Sequence, residues 1–571
     1  MQKIGLLLLA LALTTCAPDT SGPEPTKPGS QPTLAEFAVA LPEPYAAEAT
    51  AEILRNGGNA IDAAITAAFA LAVTFPQAGN IGGGGFLLTQ FDGQSHFLDY
   101  RETAPAAATR DMYQEEDGSV DPRSSLIGAR AAGTPGTVAG MWEAHQKFGS
   151  KPWADLLAPA IKLARDGYEV QPQIAGEYAE AEAFFAGEVN FADYFAGIGR
   201  GGIFKQPELA ATLERIAAQG PDDFYRGETA QLLVAQMQRS GGLISLEDLD
   251  QYQPVWRAPL SAMYGDYEVL SAPPPSSGGF AVIHLLTMKQ LLASEFADVP
   301  HNSARYVHLI SEMEKRVFAD RAEYFGDPDF VEVPMEQIMA PEYIASRAAA
   351  VNPDAISPTE DILPGLESKD TRHYSIVDAY GNAVSNTYTV NWTYGSGEVV
   401  EGAGFLLNNE MDDFSTKPGV PNIYGVVGGT ANEISPGKRM LSSMSPTIVL
   451  KQGHPEIVVG SMGGSTIFTT VFQVIVNLLD YKMSAQESVD VSRFHHQLLP
   501  KDLVTMSISR PLEEQVQTEL REMGYRVEPH GFEFGDVQVV ARNNGKLEAA
   551  ADARGVGKAI VEPISIDSAK E

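Results

Sequence analysis

The stretch "DTRHYSIVDAYGNAVSNTYTVN", residues 370 to 391, constrains this chain most, because it sets the register of two strands. "DAYGNA" fits a three-residue hairpin loop, Ala379-Tyr380-Gly381, with Gly381 in the left-handed position of a bulge. That loop pairs Asp378 with Asn382 and, counting back, sets Thr371 opposite Thr389 on one sheet face. Asn391 falls on the same face, so two hydroxyls and an amide converge at the open end of the hairpin. Pattern alone also allows a polar edge facing solvent. The hairpin begins directly after an acidic, proline-containing run, "TEDILPGLESKD", and that junction needs a reason.

On either side of the hairpin the pattern is helical. "PYAAEATAEILRNGG" has helical spacing and ends on glycines suited to a C-cap, and "NAIDAAITAAFALAVTF" is apolar nearly all round, as a buried helix is. Residues from roughly 140 to 350 read as mostly helical, 371 to 460 as strands and turns, and "STIFTTVFQVIVNLLDY" as another buried helix. Helices outside and strands between predict a layered α/β arrangement.

Four glycine-centred or polar motifs bear on chemistry. "GNIGGGGFLLTQF" is a glycine-rich turn feeding a strand; no Lys-Ser/Thr follows, so it does not read as a phosphate loop. "SMGGSTIFTTVFQ" places Gly463-Gly464 at the entry to a buried helix, where backbone N–H groups can meet an oxyanion; a plain tight turn fits equally. "KRMLSSMSPTIVL" offers Ser442 and Ser443, neither in the Gly-x-Ser-x-Gly elbow of serine hydrolases. His495 and His496 of "FHHQ" lack metal-ligand spacing and read as structural.

Charge and cysteine usage narrow the partners. A formal charge of -34 repels phosphate backbones and argues against nucleic acid. The one cysteine, Cys16, closes a start in which a lysine precedes an apolar run from Ile4 to Leu13, an export signal too short to span a membrane. "LTTC" resembles a bacterial lipoprotein signal with Cys16 as the lipidated residue, although Thr15 departs from the usual small residue and leaves cleavage by a general signal peptidase open. The expected organisation is a signal over 1–16 and a Pro/Ser-rich linker over 17–33, with the body exported to the periplasm and anchored through Cys16. A body without a cysteine pair uses no disulfide or thiolate site.

Together, "DTRHYSIVDAYGNAVSNTYTVN", "LLNNEMDDFSTKPGVPNIYGVVGG", "KRMLSSMSPTIV", "SMGGSTIFTTVFQVIVN", "GGNAIDAAITAAFALAVTFPQAGNIGGGGF", "LDYRETAPAAA", "APPPSSGGF" and "ADRAEYFGDPDF" resemble the gamma-glutamyltransferase (gamma-glutamyltranspeptidase) family. The resemblance covers essentially everything after the linker. It implies a four-layer αββα N-terminal nucleophile hydrolase fold, built from both chains of a self-cleaved precursor. The cut is expected between Asp370 and Thr371, giving a large subunit over 34–370 and a small catalytic subunit over 371–571 that intertwine as one domain.

The resemblance also implies roles. Thr371 is the nucleophile, and its freed α-amine, with a pKa of about 8, is the base. Thr389 is the supporting hydroxyl, and Gly463 and Gly464 form the oxyanion hole. Arg101 clamps the substrate α-carboxylate and Asp413 takes the α-ammonium, with Glu410, Asn391, Ser442 and Ser443 completing the pocket. Pro418 to Gly429, with Tyr424, form a lid loop. The implied donors are glutathione and other γ-glutamyl compounds, the acceptors water, amino acids or peptides, and no metal or organic cofactor is required. Arg372, Met462, Thr466 and Phe75 stand where common members carry a small residue, proline, arginine and histidine. A glutaryl (cephalosporin) acylase and a silent glutathione-binding protein are the rival readings; Asp413 argues against the first and the intact nucleophile set against the second.

Overall fold

In the computed structural model, residues 34–121, 123–359, 362, 372–417, 429–533 and 535–564 are described. Cys16 with the signal and linker, the Asp370-Thr371 junction, and residues 418–428 with Tyr424 lie outside them. In chain order the strands of the two main sheets are β1 (Glu36–Leu41), β2 (Gly84–Phe91), β3 (Gln94–Tyr100), β4 (Val255–Arg257), β5 (Leu260–Tyr264), β6 (Tyr267–Ser271), β7 (Arg372–Val377), β8 (Ala383–Thr389), β9 (Thr447–Lys451), β10 (His454–Ser461), β11 (Val537–Asn543), β12 (Lys546–Ala551) and β13 (Lys558–Pro563). A seven-stranded sheet runs β13-β1-β7-β8-β2-β3-β4 and a six-stranded sheet β12-β11-β10-β9-β6-β5. Every neighbouring pair is antiparallel.

Alternation along these strands builds the layers. Ala38, Ala40, Phe86, Leu88 and Phe97 of the first sheet meet Leu270, Ile448, Leu450, Val458 and Val540 of the second in a core between the sheets. The intervening residues Phe37, Val39, Leu87 and Leu98 face outward onto α1 (Pro44–Arg55) and α2 (Ala60–Thr74). Val269, Val449, Ile457 and Val539 of the second sheet face α3 (Gly278–Leu291), α4 (Ala304–Tyr324) and α5 (Thr466–Leu479). This is the expected αββα order.

The helix that is apolar all round is buried over its whole length, as its composition requires. "NAID" caps it: Asn59 accepts the N–H groups of Ile61 and Asp62, while Asp62 accepts that of Asn59. Two tyrosines of the sheet, Tyr374 and Tyr388, donate their hydroxyls to the carbonyls of Ala64 and Ala68. Those bonds fix α2 against β7 and β8 at the end where the site lies.

Each sheet contains strands from both sides of position 371, so neither segment owns a sheet of its own. Within the stretch that reads as mostly helical, β5 and β6 form a hairpin. Its two-residue turn, Gly265-Asp266, has Gly265 at φ 57, a turn chemistry that outweighs the helical pattern on either side.

Candidate active site

The hairpin forms in the expected register. Gly381 has φ 84, the Asp378 N–H donates to Asn382 O at 3.0 Å, and Arg372 lies opposite Tyr388. Thr389, 2% exposed, is the next residue of β8; Thr371 lies outside the described residues. The Thr389 hydroxyl oxygen accepts the Asn391 N–H at 2.7 Å, and Asn391 donates its amide to Asn409 O at 3.0 Å, next to Glu410. Asn391 holds φ 73, a left-handed conformation that asparagine tolerates better than most residues.

The glycine run supports this end of the hairpin from below. Asn80 donates to Thr389 O at 2.9 Å and accepts the Gly83 N–H at 2.9 Å. A Cβ on Gly82, Gly83, Gly84 or Gly85 would strike the carbonyl oxygen of Leu406, Thr389, Tyr100 or Thr387 respectively. The four glycines therefore serve close backbone packing. Asn80 was not legible in the sequence; its position three residues before Gly83 is the one signal that could have marked it.

Behind the hairpin end a polar column runs between the sheets. His373 bonds Thr387 at 2.8 Å and Ser375 at 2.9 Å, and Ser375 donates to Gln538 O at 3.0 Å. Burial pulls the His373 pKa down to about 3, so the ring is neutral. β10 passes this column and ends on the turn carrying Gly463 (φ 121) and Gly464 (φ 55), which opens α5. A side chain at Gly463 would also strike Thr466 Oγ1, so glycine is needed there twice over. Arg372 touches Met462 with its guanidinium and lies 4.9 Å over the Phe75 ring. Three of the four unusual positions thus meet in space, and the fourth, Thr466, donates to Gly463 O at 2.8 Å.

The third part is a charge cluster around Arg101, which is 1% exposed. Its guanidinium meets Asp413 at 2.5 Å, Glu410 at 2.7 Å and Glu102 at 3.6 Å. It also donates to Met440 O and Leu441 O, the residues just before Ser442 and Ser443. Burial and the neighbouring Asp413 push the Glu102 carboxyl up to about 7, with Arg101 opposing. Burial likewise raises Glu410 well above the carboxylate range. Among the described residues, both oxygens of Glu102 and the Ser443 hydroxyl have no hydrogen-bond partner. Three carboxylates thus face one guanidinium, an excess that favours a bound cation.

Bonds link Thr389 through Asn391 to the Glu410 segment, and Glu410 and Asp413 through Arg101 to the segment before Ser442 and Ser443, while the Gly463-Gly464 turn is reached through Met462 and Arg372. Arg101 and Asp413, expected to hold opposite ends of a substrate, hold each other here. Glu102 was missed in the sequence because nothing in "YRETAP" reports that the residue beside Arg101 is buried. His495 and His496 are buried and bonded internally, His495 to Thr469 and Gln497, and His496 to the Leu498 N–H.

Residues 46–562 match the family described as gamma-glutamyltranspeptidase. The chain is 52% identical over 561 residues to a glutathione hydrolase proenzyme of Pseudomonas aeruginosa, covering 98% of this chain and 100% of that protein. Its fold is similar to a cephalosporin acylase from Bacillus halodurans, with a TM-score of 0.80, 28% identity, and 95% and 98% of the two chains covered. A chain of gamma-glutamyltranspeptidase from Pseudomonas nitroreducens, complexed with L-DON, is 56% identical with a TM-score of 0.56; the match covers 57% of this chain and 96% of that one.

Proposed function

Since the chain belongs to the gamma-glutamyltranspeptidase family, we propose that Thr371 is its nucleophile and that the Arg101–Asp413 pocket holds the glutamyl end of the donor. The enzyme cleaves the γ-glutamyl amide of glutathione and related compounds and passes the glutamyl group to water or to an amino acid. It is made as a proenzyme that cuts itself, and the two resulting chains stay together through the shared sheets.

In the proposed course, the Thr371 α-amine takes the hydroxyl proton as the oxygen attacks the γ-carbonyl carbon. The oxyanion is met by the N–H groups of Gly463 and Gly464. The intermediate collapses, the C–N bond breaks and the leaving amine departs with that proton. Water or an acceptor amine then attacks the ester by the same steps in reverse. Donor binding exchanges one internal ion pair for two: the α-carboxylate takes Arg101 and the α-ammonium takes Asp413. A glutaryl donor would take Arg101 from Asp413 and bring no ammonium in exchange, which disfavours the acylase reading.

The observation that carries this reading is the hairpin register. β7 begins at Arg372, opposite Tyr388 and beside Thr389, and contacts run from that end to Met462 before the glycine turn and through Asn391 to Asn409 beside Glu410. Thr371→Ala is expected to give a single uncleaved chain on a denaturing gel and no turnover. Two chains of normal size from that variant would sink the assignment.

A further inference from the structure

Arg321 is a second buried guanidinium near the donor pocket, and none of the roles above uses it. It lies on α4, 4% exposed, and its Nε donates to Ser277 Oγ at 2.9 Å. Ser277 is the N-cap of α3, and it donates both its N–H (2.8 Å) and its hydroxyl (3.0 Å) to the carbonyl of Ser442. Ser276 adds a bond to Met444 O at 2.7 Å, and the Ser442 N–H returns one to Pro275 O at 3.0 Å. A Cβ on Gly278 would strike Ser445 Oγ. The segments "PPPSSGG" and "LSSMS" are therefore joined backbone to backbone, with Arg321 behind the join.

The charge count asks for such a group. Arg101 already faces Glu102, Glu410 and Asp413, and a γ-glutamyl donor brings one more carboxylate to the same guanidinium. With the donor ammonium on Asp413, Arg101 and that ammonium are the only two cations so far assigned to Asp413, the donor α-carboxylate, Glu102 and Glu410, so any charge on Glu102 or Glu410 goes unmatched in a medium that screens poorly. We propose that Arg321 is the second cation of the donor pocket: a positioning residue that holds Ser277 against Ser442 and offsets the donor α-carboxylate from behind Ser442 and Ser443. Burial pulls its pKa down to about 9 and the nearby Asp413 draws it back up, so it is charged at neutral pH. The α3 N-terminus adds positive potential from the same side.

This inference rests on the γ-glutamyl reading of the pocket, and three p-nitroanilides separate the two. The γ-glutamyl compound carries both charges, the 4-aminobutyryl compound lacks the α-carboxylate, and the glutaryl compound lacks the ammonium. Arg321→Gln is expected to raise KM for the γ-glutamyl donor about tenfold, with kcat within roughly twofold, and to change the 4-aminobutyryl donor far less. Arg321→Lys should restore most of the loss, because the charge is kept. Ser277→Ala, which keeps the packing, should give the same substrate signature at about threefold; it carries the test if Arg321→Gln does not fold. Equal losses on both donors, or no rescue by lysine, would overturn the role. A wild type indifferent to the α-carboxylate would overturn the pocket itself.

Discussion

Arg493 and Arg101 are both fully buried arginines facing carboxylates, and their surroundings are built on opposite plans. Arg493 pairs with Asp552 and donates to the carbonyls of Val489 and Gly535. Arg554 binds the other oxygen of Asp552 at 3.0 Å and donates to Val489 O, Val491 O and Ser507. In that cluster Arg493 Nε is the one guanidinium nitrogen without a partner among the described residues. Burial opposes the charge of nearby Glu533, yet bonds from Ser507 and Ser509 hold its carboxyl below the usual range. Around Arg101 the carboxylates outnumber the cation, both Glu102 oxygens lack a hydrogen-bond partner among the described residues, and Glu102 and Glu410 are pushed up. A balanced, bonded cluster holds segments together. An unbalanced one is held by the fold at a cost, as expected of a binding site more than of a structural tie.

The sharpest way to break this comparison is in the balanced cluster. Asp552→Ala leaves two buried guanidinium groups without their shared carboxylate and should cost about 3–5 kcal/mol of folding stability. Denaturant unfolding of the variant measures it; a loss below about 1 kcal/mol would remove the contrast.

The matching change in the pocket should act on turnover instead. Asp413→Asn takes one carboxylate from a cluster that has too many, so Arg101 keeps Glu410 and Glu102 and stability should move by less than about 1 kcal/mol. Donor efficiency should fall by roughly two to three powers of ten, because the α-ammonium loses its partner. The ratio of γ-glutamyl to glutaryl anilide efficiency, in wild type and variant, decides whether Asp413 reads that ammonium.

The smallest effect is in pH. Glu102 binds its proton more tightly folded, at about 7, than at its ordinary 4.5. Its contribution to stability is therefore full below about pH 4.5 and is lost as the pH rises through 7. Glu102→Gln should flatten the fall in stability over that window by at most about 3 kcal/mol, while leaving the acid side unchanged. An identical slope in wild type and variant would show that Glu102 does not take part.

Much of this site is legible in the chain because its geometry is local. The loop Ala379-Tyr380-Gly381 alone sets Thr389 and Asn391 on one face, and "GGST" before an apolar helix announces a glycine-lined N-terminus. Arg101 and Asp413 are identified through the family resemblance. Their mutual ion pair is not, since it joins residues 312 positions apart. The meeting of Phe75, Arg372 and Met462 is invisible for the same reason.

The sequence by itself determined the elements: an α-helix with no polar face that had to be covered on all sides, and a hairpin whose turn allows one register. Those follow from periodicity and turn chemistry, which act over a few residues. Only the tertiary structure decided which polar groups are buried and with whom. The four glycines turned out to be places where carbonyls approach, and Glu102 and Arg321 turned out to be charges without water. Burial is a property of the layers that close over a residue, and those layers come from strands on both sides of position 371.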